Sequence, residues 1–176
     1  MRERGWRRCG AVDVHYPAAG GAHAALVVAA DCRFGTPLGE HVAWLASVAP
    51  YQPGRFFARE LPALRAVLAA ADPAGDRPLD LLVVDGYVDL DPQGRPGLGR
   101  HVHAALGAPV IGVTKTAFRS ATHAAEVRRG GSDRPLYVTA AGLPVAEAAA
   151  IVAGMAGTYR LPDALRRVDQ LSRSGR

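Results

Sequence analysis

Three carboxylates in this 176-residue sequence stand where carboxylates are ordinarily scarce. Asp13 interrupts the apolar run Ala11-Val12-Asp13-Val14, and Asp85 closes Leu81-Leu82-Val83-Val84-Asp85-Gly86. Glu60 follows the rigid stretch Pro50-Tyr51-Gln52-Pro53-Gly54. An aspartate flanked by valines on a strand is costly unless it is ion-paired or holds a metal. Carboxylates that converge at one sheet repel each other, and a divalent cation relieves the repulsion. All-oxygen donors select a hard ion, Mg²⁺ or Mn²⁺. Surface or ion-paired aspartates are the alternative reading of the same spacing. Lys115 is the sole lysine among 21 basic side chains. The surplus of Ala, Arg, Gly and Pro fits GC-rich coding, which exchanges Lys for Arg wherever a surface cation suffices. A lysine retained against that bias marks a site for a compact ammonium donor.

The elements that must position these groups read as a layered α/β fold. Strands are expected at 12–16, 24–30 and 40–48, joined by short Gly/Pro turns into an antiparallel meander. Helical spacing of Phe56, Phe57, Leu61, Leu64, Leu68 and Ala71 predicts a helix over 55–71, kinked at Pro62 or beginning near Glu60. The run 79–86 reads as a central parallel strand ending at Asp85-Gly86, where α/β sheets gather their ligand sites. A loop at 89–99, a helix over 99–106 and a short buried strand at 109–113 follow. Residues 119–134 read as irregular, 135–139 as a last strand, and 144–155 and 162–172 as helices. The whole is expected to be one domain over residues 1–176, a mixed sheet with helices on both faces.

Hydrophobic residues make up 49% and charged residues 21%, a globular composition with no apolar run long enough to span a bilayer. The Arg-rich first ten residues lack the apolar core of a signal peptide. Cys9 and Cys32 are too few for a disulfide framework and read as small buried residues in strands. A reducing, cytoplasmic setting and a monomer are expected, with no membrane partner. The net charge of +5 favours a polyanion, although solvated charge explains a value this modest equally well. His15, His23, His41 and His123 show no metal-ligand spacing.

Taken together, these segments resemble the endonuclease V family. The resemblance rests on 11–16 around Asp13, on Pro50-Tyr51-Gln52-Pro53-Gly54-Arg55-Phe56-Phe57-Ala58-Arg59-Glu60, and on 81–86. It continues through Gly97-Leu98-Gly99-Arg100-His101, 109–115 and Tyr159-Arg160-Leu161-Pro162-Asp163 to Asp169. It implies an RNase H-like fold and a divergent, N-terminally short member. The implied activity is Mg²⁺-dependent cleavage (Mn²⁺ as a substitute) of DNA or RNA at the second phosphodiester bond 3′ to a deaminated purine, hypoxanthine. By position, Asp13, Asp85 and Glu60 would ligate metal, Asp169 would complete the acidic site, and Lys115 would lie near the scissile phosphate. Tyr51 and Pro53 match the family's wedge, an aromatic and a rigid proline that fill the stack vacated by the flipped base. Gly54, Phe56, Gly86, Val88 and Phe118 fall where the family lines its base pocket. His101 could touch a phosphate.

The sequence also departs from the family. Asp-Gly-His-Gly becomes Asp85-Gly86-Tyr87-Val88, which is expected to place two extra methyls where the base approaches. Asp91 replaces a histidine and adds negative charge near phosphates, and Thr139-Ala140-Ala141-Gly142-Leu143 replaces a more polar segment. Two alternatives therefore stand beside the endonuclease: a member that binds nucleic acid without cutting it, and one acting on another nucleotide-like substrate.

Overall fold

A computed structural model describes residues 5–55 and 57–175. Seven strands among them form one mixed sheet: β1 (Cys9–His15), β2 (Ala22–Ala29), β3 (Pro37–Leu45), β4 (Leu81–Asp85), β5 (Val110–Thr114), β6 (Ala125–Val127) and β7 (Leu136–Ala141). Their order across the sheet is β3-β2-β1-β4-β5-β7-β6. The β1–β2–β3 meander is antiparallel, β1, β4 and β5 run parallel, and β7 lies antiparallel to both β5 and β6. The helices are α1 (Phe57–Ala71), α2 (Leu98–Leu106), α3 (Val145–Gly154) and α4 (Asp163–Ser174).

Strand parity divides the core into two layers. Cys9, Ala11, Leu81, Val83, Ile111 and Val113 point one way and pack under α3 and the start of α4. Val12, Leu82, Val84 and Val110 point the other way and pack under Ala63, Leu64 and Val67 of α1 and Val102 of α2. Helices thus cover both faces, as expected. No helix among the described residues is long and apolar enough to cross a membrane.

Three local expectations need correction. The helix begins at Phe57 and runs through Pro62. A proline this early in a helix forfeits one backbone hydrogen bond, to Ala58, and spares the later turns. Residues 125–127, read as irregular, form β6 against β7; three residues carry too little alternation to announce a strand. Cys9 is buried in β1, but Cys32 is half-buried in the turn after β2 and not in a strand.

Candidate active site

Register brings the first two acids together. Val12 pairs with Val84 across the parallel β1–β4 ladder, so Asp13 and Asp85 are the next residues along, side by side at the strands' C-terminal ends. By parity both project toward the α3–α4 face. Val12, Asp13, Asp85, Lys115, Leu161, Leu165 and Asp169 line a cavity there. Asp13 and Asp85 also line a second, smaller cavity with Glu60, Leu64 and Leu98 on the α1 side. Glu60, in the first turn of α1, therefore reaches the pair from the opposite layer.

The electrostatics are those of acids short of cations. Burial lifts the Asp13 carboxyl to about 6, Asp85 and Asp169 push the same way, and hydrogen bonds from Ser172 and the Val14 backbone pull it back. Glu60 is 6% exposed and lifted to about 7, first by burial and then by Asp13 and Asp85. The Tyr16 hydroxyl donates to its Oε1 at 2.9 Å, and Arg59, whose guanidinium lies 4.3 Å from the Tyr16 ring centre, lowers it further. Asp85 opens to solvent at the strand end, yet the atoms crowded around it still raise its carboxyl. Lys115 opposes that shift and Asp169 adds to it. Asp169 spends Oδ1 on Arg173 at 2.9 Å.

Among the described residues, no three His, Cys, Asp or Glu side chains close into a finished metal cage. Of the expected trio, Asp13 and Asp85 share a face, and Glu60 reaches them from the other layer with one oxygen held by Tyr16, all three bordering the smaller cavity. The pair still fits a hard cation. Mg²⁺ is commonly held by one or two carboxylates and completes its octahedron with water and substrate phosphate oxygens.

The remaining sequence-predicted residues separate into two groups. Tyr51, Pro53 and Gly54 lie on an exposed loop before α1, Tyr51 at 63% exposure. Gly54 adopts φ +76°, which closes a turn with Arg55 N–H donating to Gln52 O. Phe56 lies outside the described residues. Phe118 is exposed and borders a cavity of about 370 Å³ with Asp85, Tyr87, Lys115 and Thr116. The Tyr87 hydroxyl fixes that rim, donating to Thr116 O and accepting the Phe118 N–H, both at 2.9 Å.

Val88 does not project into this cavity. Its side chain is fully buried in the α1–α2 layer, against Gly99. Its N–H donates to Thr139 Oγ1 at 2.8 Å and its carbonyl accepts from Gly97 at 2.8 Å. A side chain on Gly112 would collide with Gly86 O and Val88 N, so Gly112 is what lets the Gly86–Val88 turn sit on β5. Asp91 likewise spends its charge locally, accepting from the backbones of Gln93 and Arg95 and pairing with the Arg95 guanidinium at 3.5 Å. His101 stacks on Phe57 with ring centres 3.7 Å apart, and burial lowers its pKa, which disfavours the charge a phosphate contact would use.

Two contributors escaped the sequence reading. Ser172, fully buried on α4, donates to Asp13 Oδ2 at 3.1 Å, sharing its proton with Asp169 O at 2.9 Å. Tyr16 holds Glu60. A serine near a helix end carries no signal in sequence, whereas the alternation of the expected strand 12–16 already puts Tyr16 on the Val12–Val14 face, toward α1.

Comparison with known proteins places the chain in a family. The endonuclease V family model matches residues 1–143. An endonuclease V from Rhodospirillum centenum is 32% identical over 149 residues, 72% of this chain and 60% of that protein. One from Azotobacter vinelandii is 29% identical over 181 residues, 92% of this chain and 80% of its own length. The chain thus spans about 60% of the length of some curated relatives it matches, among them one from Streptomyces coelicolor. The crystal structure of endonuclease V from Streptomyces avermitilis superposes with a TM-score of 0.77 at 30% identity, over 97% of this chain and 82% of that one. The Ciona intestinalis enzyme, solved with inosine-containing DNA, gives 0.79 at 18% identity, over 96% and 85%. The parallel β1–β4–β5 core flanked by an antiparallel meander is the RNase H-like fold, and the chain belongs to the endonuclease V family.

Proposed function

We propose that this protein is a divalent-metal-dependent endonuclease that cuts nucleic acid 3′ to a deaminated purine. The observation that carries the reading is the Asp13–Asp85 pair at adjacent strand ends, both carboxyls raised and with only Lys115 opposing the shift at Asp85. Family membership and a structural relative solved on inosine-containing DNA supply the substrate class.

In this reading Asp13 and Asp85 hold Mg²⁺, and Ser172 keeps one Asp13 oxygen aimed by donating to the other. The bound ion supplies a Lewis acid for the phosphate and a water acidic enough to attack at neutral pH. Glu60, poised near neutrality, holds or releases a proton at the α1 edge of the site. Lys115 places its ammonium between Asp85 and the incoming phosphate. Tyr51 and Pro53 enter the gap left by the flipped base, and the cavity between Tyr87 and Phe118 receives that base.

Oligonucleotides matched except for one inosine, one uracil or no lesion test the proposal, each as DNA and as RNA, with and without Mg²⁺. Cleavage of the inosine strand alone, lost without the metal, is expected. Salt-sensitive binding with no cutting in Mg²⁺ or Mn²⁺ would select the binding-only member instead. Because Val88 faces the core, Val88→Ala is expected to cost about 2 kcal/mol of stability in denaturant melts. The same variant should leave the inosine-over-adenine cleavage ratio within twofold.

A further inference from the structure

Tyr159 presents its ring to solvent at 61% exposure, on the segment between α3 and α4. That segment is held more tightly than a surface connection requires. Arg129, buried beneath it, donates through Nη2 to Met155 O at 2.6 Å and Gly157 O at 3.1 Å. Its Nη1 donates to Tyr159 O at 3.1 Å and Arg160 O at 3.4 Å. Gly130 packs so closely under the same stretch that a side chain there would meet Tyr159 C and Arg160 N at 2.6 Å. From the outside, the Arg166 guanidinium lies 4.6 Å from the ring centre and covers one face. An aromatic ring fixed by its backbone, cation-backed on one face and exposed, is prepared to stack.

Its position says what it would stack on. Arg160, the next residue, donates through Nη2 to Lys115 O at 2.7 Å, and Leu161 lines the cavity of Asp13, Asp85 and Asp169. The platform therefore stands beside the acids on the α4 layer. Tyr51, the other tyrosine exposed to a similar degree, stands before α1 on the opposite layer. Tyr51 and Tyr159 thus precede the two helices, α1 and α4, that bring Glu60 and Asp169 to the two sides of the aspartate pair.

We propose that Tyr159 is a stacking platform for a nucleotide base on the 3′ side of the scissile phosphate, downstream of the base the Tyr51 wedge displaces. The inference rests on the endonuclease reading and adds a second aromatic contact to it. Stacking on a fixed ring is indifferent to base identity, so this contact grips the strand without reading its sequence.

The test uses single strands carrying one inosine and ending at successive positions on its 3′ side, with affinity followed by anisotropy in Ca²⁺. 2-Aminopurine is placed in turn at each downstream position. For the unaltered protein, affinity should rise about tenfold at one added nucleotide, and 2-aminopurine at that nucleotide should be quenched. Tyr159→Ala and Tyr159→Leu should lose both the step and the quenching while binding the shorter strands normally, and Tyr159→Phe and Tyr159→Trp should keep both. An Ala variant that keeps the full affinity step and the quenching, or a Phe variant that behaves like Ala, overturns the inference. Inosine-specific cleavage with no length step sinks the platform and leaves the endonuclease standing. Failure to bind or cut any inosine strand sinks both.

Discussion

Asp85→Asn is expected to lower cleavage of an inosine-containing strand by about a thousandfold or more at saturating Mg²⁺. The amide keeps the shape of the side chain but removes the negative charge that a hard cation needs. Metal-borne stabilisation of a phosphoryl transition state is worth several kcal/mol, and each 1.4 kcal/mol is about tenfold in rate. The loss should fall on kcat, because the proposed strand contacts at Lys115, the Tyr51 loop and the Tyr87–Phe118 cavity are left intact. Single-turnover kinetics across a Mg²⁺ titration separate this outcome from weakened metal binding that excess ion restores. An Asp85→Asn variant that cuts at the unaltered rate would remove the aspartate pair from the mechanism.

The second large effect is on stability and has the opposite sign. The Glu60 carboxyl titrates near 7 in the fold, against an ordinary value of 4.5. Below about pH 4.5 both folded and unfolded chains carry the proton, and this group costs nothing. Between 4.5 and 7 the unfolded chain ionises while the folded one resists, so stability falls as pH rises, and above 7 the penalty is complete. The difference corresponds to about 3 kcal/mol for Glu60, with Asp13 adding in the same direction over a window that ends near 6. Glu60→Gln should therefore raise the melting temperature of the metal-free protein at pH 8 by several degrees and flatten its decline between pH 4.5 and 7. Gln keeps an oxygen to accept from Tyr16. Calorimetry across pH, with and without Mg²⁺, measures it. A variant no more stable than its parent at pH 8 would mean that the buried acid is already compensated.

Much of this site could be read from sequence because it follows from strand parity. Once the segments carrying Asp13 and Asp85 are recognised as neighbouring parallel strands with Val12 opposite Val84, the two carboxylates emerge on one face. The residue pattern puts Glu60 at the start of a helix, but a helix carries no label for the layer it packs on. The direction of Val88 was beyond the sequence for a related reason. Gly86 takes φ +142°, and a break in the extended backbone there cancels the alternation that would have predicted where residue 88 points. Asp91 looked like free charge because the turn that consumes it depends on Arg95 folding back four residues later. Ser172 and Arg129 act through contacts across 159 and 26 to 31 residues of chain, and such separations leave no local periodicity.

The link between Asp13 and Ser172 joins the first strand to the last turn of the final described helix. That turn closes on Gly175, which has φ +65° and packs so near the His23 ring that any larger residue would strike it. The close of α4 and the aim of the Asp13 carboxylate are in this way one mechanical unit. A force applied at Gly175 would pull on the turn that steadies Asp13, whereas one applied at the polar turn around Gly75 would load the opposite end of the sheet.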